Sequence, residues 1–361
     1  MAGLYVHIPF CKKRCLYCDF FSTTLLERRK AYIEALLKEI QTRKDEASEP
    51  IRTIYLGGGT PSTLDAEDIE RVIDAIDAPE AQEITMELNP GDASPEYLKA
   101  LRAVGINRLS IGIQSFQDEL LTFIGRRHNA TQAIQAVQMA QEAGFDNLSI
   151  DLMYALPTQT MMQWQADIKT ALSLGVQHIS SYGLMYEEGT ALTKQVESGQ
   201  LNPVDEDTEN AMYDELCDRL RQAGFEHYEV SNFALPGYKS KHNSSYWDGT
   251  PYIGVGAGAH SYIGRVRSWN PSNLDTYING TFERENETLT DTDLYNERIM
   301  LGLRTSQGIT EDLSRLYRDN IETISRHIEK GLLRKMPEGN IVATQKGIHI
   351  LNRIIESLMI E

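Results

Sequence analysis

Three cysteines lie within eight residues near the N-terminus of this 361-residue chain, in the order Cys11, Cys15 and Cys18. Their spacing is C-x3-C-x2-C. Thiolates this close together can bind three corners of one iron–sulfur cluster, and a [4Fe–4S] cube normally takes four protein thiolates. The fourth iron would have no cysteine nearby, and an open metal position is typical of a catalytic rather than a structural site. The spacing therefore predicts a metal cluster with one free coordination position.

Two other interpretations of the cysteines stay open at this point. The thiols could be structural, or they could form a zinc site together with His7 or Cys217, although zinc loops usually consist of paired C-x2-C halves. Cys217 lies in a helical pattern and is expected to be a small buried apolar residue. The basic run Lys12–Lys13–Arg14 stands between the cysteines, and its charge is expected to lower the thiol pKa values.

Further polar or flexible residues follow predicted strands. The run Gly57-Gly58-Gly59-Thr60-Pro61 would let the backbone approach a ligand closely, although it could also be an ordinary turn. Taken singly, charged or amide side chains in such places are usually solvated. Together they occupy successive strand ends, where a barrel enzyme gathers its site. The candidates are Glu87, Gln114, Arg126 and Asp151.

The elements that would position these residues alternate between strand and helix. The predicted strands lie near Leu4–Ile8, Thr53–Leu56, Glu83–Leu88, Arg108–Ile113, Asn147–Met153 and His178–Tyr182, with a weaker one near His227–Val230. Helices are expected between them. This alternation predicts a parallel α/β fold, for which we favour a partial (β/α) barrel, and a doubly wound sheet is the alternative.

The pattern changes near residue 231, and we predict three units along the chain. Residues 1–235 form the partial barrel, and residues 236–285 form a connecting segment rich in Gly and aromatic residues. Residues 286–361 are expected to form a small, mainly helical, winged-helix-like domain, because helical patterns near 291–304, 310–331 and 345–358 flank a β pair.

Charge and composition exclude several classes of protein. The formal net charge is −17, so the chain should repel nucleic acids in bulk and anionic lipid surfaces. No apolar run approaches the roughly 20 residues of a membrane span, so an integral membrane protein is not expected. The first residues show no signal-peptide pattern. We therefore expect a cytoplasmic protein, with peripheral contact with a membrane as an alternative.

The cysteine segment, taken with its neighbours, resembles the radical S-adenosylmethionine (SAM) superfamily. The shared features are C-x3-C-x2-C with an aromatic residue beside the last cysteine, the context Tyr-x-His-Ile-Pro-Phe-Cys, and the GGGTP loop. This context is similar to the family of the oxygen-independent coproporphyrinogen III oxidase, closest to its HemW-like haem chaperone subgroup. The resemblance covers nearly the whole chain. It implies that Cys11, Cys15 and Cys18 bind a [4Fe–4S] cluster and that SAM occupies the open iron.

The same resemblance implies a set of residues that bind SAM. Arg126 matches better than Arg127, because it lies twelve residues after Gln114. The set implied by the family motifs is Tyr5, Gly58, Gly59, Thr60, Glu87, Gln114, Arg126 and Asp151.

A second motif, His242-Asn-x-x-Tyr-Trp, lies in the connecting segment. From the residues alone, a loop histidine bonded to backbone is the more common situation than an axial haem ligand. The resemblance changes this, because the motif looks like the haem-binding motif of the HemW-like subgroup and so implies that His242 binds haem. His260, in Gly256-Ala-Gly-Ala-His260, is a second candidate for which a structural role is favoured.

Three functions are compatible with these motifs. The favoured one is a haem chaperone that binds haem and passes it to an acceptor protein, with a flavodoxin- or ferredoxin-like reductant for the cluster. The alternatives are oxidative decarboxylation of coproporphyrinogen III and another radical SAM reaction on a tetrapyrrole, such as opening of the haem ring. Phe20 stands where the oxidase has an additional cysteine. The oxidase also has an N-terminal extension before the cysteine strand, whereas this sequence starts four residues before Tyr5. Both differences from the oxidase lead us to expect no oxidase activity.

Overall fold

The computed structural model describes residues 2–310 and 318–360. Over its N-terminal half, strands and helices alternate as the periodicity predicts. The strands are β1 (Ala2–Ile8), β2 (Ile51–Gly58), β3 (Glu83–Leu88), β4 (Arg108–Gln114), β5 (Leu148–Tyr154) and β6 (His178–Gly183). The helices are α1 (Arg29–Arg43), α2 (Ala66–Ile76), α3 (Pro95–Ala103), α4 (Asp118–Phe123), α5 (Ala130–Glu142) and α6 (Met161–Ser173). Short 3-10 turns occupy Leu26–Arg28, Pro61–Thr63 and Pro90–Asp92.

The six strands pair in parallel and in chain order, from β1 to β6. Their apolar residues are buried on both faces, as a parallel sheet covered by helices requires. In β1, Leu4, Val6 and Ile8 are all fully buried. Two of the helices begin with capping boxes, at Asn129 and at Thr160, which satisfy the first free N–H groups of α5 and α6.

Strand order distinguishes the two folds that periodicity left open. A doubly wound sheet reverses its strand order at a switch point, whereas this sheet keeps the order of the chain. Residues at the carboxyl ends of all six strands, or in the loops after them, also line one cavity, which requires the sheet to curve. Among the described residues β1 pairs with β2 and β9, and β6 with β5 and β8, so the barrel is not closed. The prediction of a partial (β/α) barrel is confirmed.

The rest of the sheet comes from the middle of the chain. Helices α7 (Ala191–Glu197) and α8 (Glu206–Gln222) precede β7 (Glu226–Glu229), β8 (Asn232–Ala234), α9 (Lys241–Asp248), β9 (Tyr252–Val255), β10 (His260–Ile263), β11 (Val266–Trp269), α10 (Leu274–Ile278) and β12 (Glu285–Thr288). The sheet has twelve strands in the order β12-β11-β10-β9-β1-β2-β3-β4-β5-β6-β8-β7. The predicted connecting segment is thus integrated into the sheet, because β9 pairs in parallel with β1. Sequence patterns missed this, since strands of four residues show little periodicity.

The C-terminal region has its own hydrophobic cluster, which runs from Tyr295 to Leu358. Its elements are α11 (Asp291–Gly302), α12 (Arg318–Glu329), β13 (Leu333–Lys335), β14 (Ile341–Ala343), α13 (Gln345–Ile348) and α14 (Leu351–Glu356). Helices flanking an antiparallel pair match the expected composition of this region. The start of the helix predicted at 310–331 lies outside the described residues, and the last predicted helix is divided into α13 and α14. The domain boundaries themselves stay a prediction.

A buried carboxylate joins α1 to the middle of the chain. Glu39 is fully buried and accepts hydrogen bonds from Arg43 (2.8 Å), the Gly256 N–H (2.8 Å), Asn270 (2.7 Å) and the Tyr277 hydroxyl (2.6 Å). Three of these donors lie more than two hundred residues away in sequence. The network therefore fixes the segment after α9 against the outer helix layer.

None of the described helices is both long enough and apolar enough to cross a membrane.

Candidate cofactor site

The cysteine loop connects β1 to α1 and is held by backbone hydrogen bonds. The Cys11 N–H donates to the Thr23 carbonyl (2.8 Å), and the Thr23 N–H donates to the Pro9 carbonyl (2.7 Å). Farther along the loop, the Leu16 N–H donates to the Ile124 carbonyl (3.2 Å), which ties the loop to the end of α4. These bonds fix the C-x3-C-x2-C segment at Cys11 and at Leu16, which lies between the second and third cysteines.

All three thiols face one cavity of about 540 Å³. Among residues 2–310 and 318–360, no three Cys, His, Asp or Glu side chains converge closely enough to hold a single metal ion. An iron–sulfur cube binds each thiolate to a different iron, so it needs thiols spread around a cavity. Cys217 is buried in the core packing of α8, as predicted. The geometry therefore favours a cluster over the zinc alternative.

The thiols are in an environment that the sequence did not reveal. Burial raises the pKa of both Cys11 and Cys18 above the ordinary value. Arg14 does lower the pKa of Cys18, as expected, but its effect is smaller than that of burial. Lys12 is paired with Asp92 (2.7 Å), and the Arg14 guanidinium donates to the Cys18 carbonyl (3.2 Å). The predicted net lowering of the thiol pKa is therefore wrong for Cys11 and Cys18.

Asp92 links the cysteine loop to the loop after β3. It is almost fully buried and accepts from Lys12 (2.7 Å), Arg127 (2.9 Å) and the Ser62 hydroxyl (3.0 Å). These cations hold the pKa of the carboxyl below its ordinary value, against the opposing and individually larger effect of burial. Arg127, which the sequence placed second to Arg126, is therefore engaged in this structural contact.

The glycine-rich loop at the end of β2 approaches the cysteine loop closely. Gly58 has φ of +114°, and a Cβ there would lie 2.7 Å from the His7 ring. A Cβ on Gly59 would lie 3.0 Å from the Cys11 sulfur. The Thr60 hydroxyl donates to that sulfur at 3.4 Å. Only glycine fits these two positions, so the loop is shaped for close contact around Cys11.

Two buried carboxyls form the floor of the cavity. Glu87 accepts from the Tyr55 hydroxyl (3.0 Å) and from the Gly58 N–H (3.2 Å), and Asp151 accepts from Ser110 (3.1 Å). Burial, followed by the charge of Asp151, raises the pKa of Glu87 to about 8. Burial also raises the pKa of Asp151. A cationic ligand in this cavity would favour the charged forms of both groups.

This pKa shift predicts a pH dependence of stability. The folded pKa of Glu87 lies above its unfolded value of about 4.3, so its stabilising effect is complete below about pH 4.3 and is lost as pH rises to about 8. Wild type should therefore lose stability from pH 5 to pH 8.5, whereas Glu87→Gln, which cannot ionise, should not. We expect the unfolding free energy of Glu87→Gln minus that of wild type to rise by about 1–3 kcal/mol between these two pH values. Urea unfolding at both pH values measures this.

The exposed Glu34→Gln provides the control for that experiment, because Glu34 lies on the outer face of α1 and pairs only with Arg71 among the described residues. Its difference from wild type should not change with pH. A pH-independent difference for Glu87→Gln would show that the carboxyl is already ionised in the folded protein.

Arg126 also lines the cavity. Its Nη1 donates to the Cys15 sulfur (3.6 Å) and its Nη2 donates to the Gly112 carbonyl. Its Nε is buried and has no hydrogen-bond partner among the described residues. Gln114 lies nearby at the end of β4 with φ of +75°, an uncommon conformation for a residue other than glycine. An unpaired buried N–H donor is costly, so a polar ligand in the cavity would satisfy it.

The residues present fit a cluster with SAM. Three thiols, a glycine cradle that a Cβ would fill, two carboxyls and an unpaired guanidinium donor line the same space. Ten predicted residues line this cavity: Cys11, Cys15, Cys18, Gly58, Gly59, Thr60, Glu87, Gln114, Arg126 and Asp151.

His242 does not line this cavity, although its neighbour Asn243 does, and its ring packs against β2. It is fully buried at the start of α9, where its Nδ1 lies 2.9 Å from the Thr53 hydroxyl and its Nε2 lies 2.8 Å from the Tyr246 hydroxyl. Its ring stacks on Tyr55 at 5.2 Å between centroids. Burial, assisted by Arg108, lowers its pKa to about 3, so the imidazole is neutral. In this conformation both ring nitrogens of His242 are within hydrogen-bond distance of a hydroxyl group.

Comparison with known proteins decides the family. The Radical SAM superfamily profile matches residues 5–171. The haem chaperone HemW of Lactococcus lactis is 38% identical over an alignment that covers 99% of this chain and 97% of that protein. The HemW of Bacillus subtilis is 34% identical, with 99% of each chain covered. The chain belongs to the HemW haem chaperone family.

A solved structure shows the same fold as this HemW-family chain. Coproporphyrinogen III oxidase (HemN) from Escherichia coli, a radical SAM enzyme, superposes with a TM-score of 0.83 at 23% identity. The match covers 99% of this chain and 89% of that one. Likeness at this identity concerns the fold, and it extends through the C-terminal region.

The HemW-family cavity also has residues that the sequence did not single out. Tyr17, Ser110 and Ser180 line it, and both serines bond Asp151. For the two serines, the available sequence signal was a polar residue within a predicted buried strand. Tyr5, in contrast, does not line the cavity; its ring stacks on Tyr55, which does. Its role in SAM binding stays a prediction.

Proposed function

We propose that this chain is a haem chaperone that binds haem and transfers it to acceptor proteins, and that it carries a SAM-ligated [4Fe–4S] cluster. The observation that carries the proposal is the full-length similarity to HemW proteins, which are named haem chaperones. The cofactor cavity supports the assignment of the cluster and SAM, since it brings three thiols and most of the predicted SAM residues together.

Cys11, Cys15 and Cys18 would bind three irons, and the fourth iron would remain for the amino and carboxylate groups of SAM. Gly58, Gly59 and Thr60 would contact the amino acid moiety of SAM through the glycine-rich loop. Glu87 and Asp151 would place negative charge near a cationic ligand, and Arg126 would offer its free N–H. When bound, the cluster supplies an electron to SAM.

The partners follow from this function. The cargo is haem, and the acceptor is a haem protein, with membrane-associated haem proteins as one class. A flavodoxin- or ferredoxin-like protein would reduce the cluster. The net charge of −17 does not suit nucleic acid and suits an acceptor with a basic docking face.

Haem titration followed by transfer tests the proposal. The purified protein with its cluster is titrated with haem, and the shift of the Soret band gives the affinity. Apomyoglobin is then added as a probe acceptor, and its holo spectrum reports transfer. Wild type should bind one haem and release it to the acceptor. A protein that binds no haem would contradict the proposal.

Anaerobic turnover with coproporphyrinogen III, SAM and a reductant tests the oxidase alternative in parallel. We expect no protoporphyrinogen from protein with a full cluster. Product formation would establish the decarboxylase function instead.

His242 gives a specific prediction for the haem titration. Iron coordination by His242 would replace the hydrogen bond between its Nε2 and Tyr246. We expect His242→Ala to weaken haem binding at least tenfold, with cluster iron content and SAM binding unchanged. His349→Ala is the control, because His349 lies in the C-terminal region and pairs with Asp214. Equal haem affinity in wild type and His242→Ala would contradict the prediction.

A further inference from the structure

A run of three basic residues lies on the surface of the cysteine loop. Lys12, Lys13 and Arg14 are all exposed and stand between the first two predicted cluster ligands. Burial raises the pKa of Cys11 and Cys18 despite this run, so activation of the thiols does not explain it. The exposed charges are therefore available to a partner outside the chain.

The charges of this run are only partly neutralised within the protein. Lys12 pairs with Asp92, but Asp92 also pairs with Arg127, so these three groups together keep one positive charge. Lys13 and Arg14 have no carboxylate partner among residues 2–310 and 318–360. The chain as a whole has a net charge of −17. The cysteine loop is thus a basic area on an acidic molecule.

An exposed aromatic residue lies on the same loop. Phe20, two residues after the last cysteine of the motif, is 63% exposed and lines the cofactor cavity. Aromatic anchors beside arginine are enriched at protein–protein interfaces. Asp19 is the acidic residue of this stretch. Lys12, Lys13, Arg14 and Phe20, which we call the loop patch, combine positive charge with an apolar contact.

The position of the loop patch determines which partner it fits. Lys13, Arg14 and Phe20 line the same cavity as the three thiols, so a protein docked on the patch would lie next to the cluster. Electron transfer rates fall steeply with distance, so a protein that donates electrons must bind in such a place. An acidic protein is repelled by most of this chain and attracted by the loop patch, which fixes where it docks.

We propose that the loop patch is the docking site of an acidic protein that carries single electrons, such as a flavodoxin. This inference rests on the proposed function, in which the chain holds a cluster, and adds the surface where the reductant binds. In the complex the carrier loses one electron and the cluster gains it, with no bond formed or broken. Lys13 and Arg14 pair with carboxylates of the carrier, and Phe20 supplies the apolar contact.

Stopped-flow reduction of the protein with its cluster tests the docking site, with the hydroquinone of an acidic flavodoxin as the probe. Formation of the flavodoxin semiquinone gives the rate, which is expressed per cluster. The double variant Lys13→Glu/Arg14→Glu should lower this rate about tenfold or more at low ionic strength, because two attractions become repulsions. Added salt should shrink the difference from wild type, because exposed charges are screened.

Two controls separate docking from damage to the cluster site. Photoreduced 5-deazariboflavin, a small uncharged reductant, should reduce wild type and the double variant at equal rates. The pair Lys99→Glu/Lys169→Glu makes the same change of net charge at exposed positions of α3 and α6. With flavodoxin, this pair should stay within about twofold of wild type.

A milder pair keeps the test decisive if charge reversal prevents assembly of the cluster. Lys13→Gln/Arg14→Gln removes the attraction without adding repulsion, and it should lower the flavodoxin rate about threefold or more. Equal flavodoxin rates in wild type and in this pair would overturn the docking site and leave the chaperone function standing. A wild-type cluster that deazariboflavin reduces and flavodoxin does not would overturn it too. A wild-type protein that assembles no cluster would contradict the proposed function itself.

Discussion

Replacing any one of Cys11, Cys15 and Cys18 with alanine will abolish cluster assembly. Each thiol faces the same cavity, and the described residues offer no spare cysteine there to replace it. A cube held by two thiolates lacks the anchoring that protein-bound clusters require. After anaerobic reconstitution, iron and sulfide per chain and the visible absorbance of the cluster should fall to background in each variant.

Cys217→Ala is the matched control for this experiment. Cys217 is 2% exposed, lies in the core packing of α8 and does not line the cavity. We expect a full cluster and a loss of about 1 kcal/mol of unfolding free energy from the smaller side chain. A variant of the first three cysteines that retained a full complement of iron would contradict the ligand assignment.

Replacing Glu39 with alanine should destabilise the fold by about 3–5 kcal/mol, because it leaves the buried Arg43 guanidinium with only the partly exposed Glu46 as a charge partner. The Asn270 amide, the Tyr277 hydroxyl and the Gly256 N–H would lose their acceptor as well. Each buried donor left unpaired adds to the cost. The midpoint and slope of urea unfolding measure the loss.

Glu34→Ala on the same helix separates this effect from helix propensity. Glu34 is 59% exposed and pairs with the half-exposed Arg71, so its removal should cost less than about 1 kcal/mol. Equal losses in the two variants would show that the buried network contributes no more than a surface pair.

The Glu39 network also has a consequence for the cofactor site. Tyr32, two turns earlier in α1, donates to the His7 carbonyl (2.7 Å) and accepts from the Ala257 N–H (3.1 Å). His7 lies at the end of β1, just before the cysteine loop. Loosening of the segment around Gly256 would therefore remove support from β1, and we expect Glu39→Ala to lower cluster retention in addition to stability.

Much of the barrel could be predicted from local patterns. Short β-like runs such as Leu4–Ile8 and Glu83–Leu88 predicted strands close to the observed bounds. The four-residue strands β9–β12 could not be predicted in this way, because short strands carry little periodicity and their place in the sheet depends on distant segments. The pairing of β9 with β1 joins Gly3 to Tyr252 and Val6 to Val255. No short window of sequence contains such a contact.

By itself, the sequence determined the chemistry available at the cofactor site. The C-x3-C-x2-C spacing, the triple glycine and the polar residues at strand ends are local features, and the chain order of parallel strands brings them to one edge. Only the tertiary structure decided the pKa values and the hydrogen-bond partners of the candidate groups. Burial raises the pKa of Cys11 despite the adjacent basic run, and Thr53 and Tyr246 engage both nitrogens of His242. The physical reason is that desolvation and hydrogen bonding depend on neighbours supplied by distant segments, as where Thr53 of β2 meets His242 of α9.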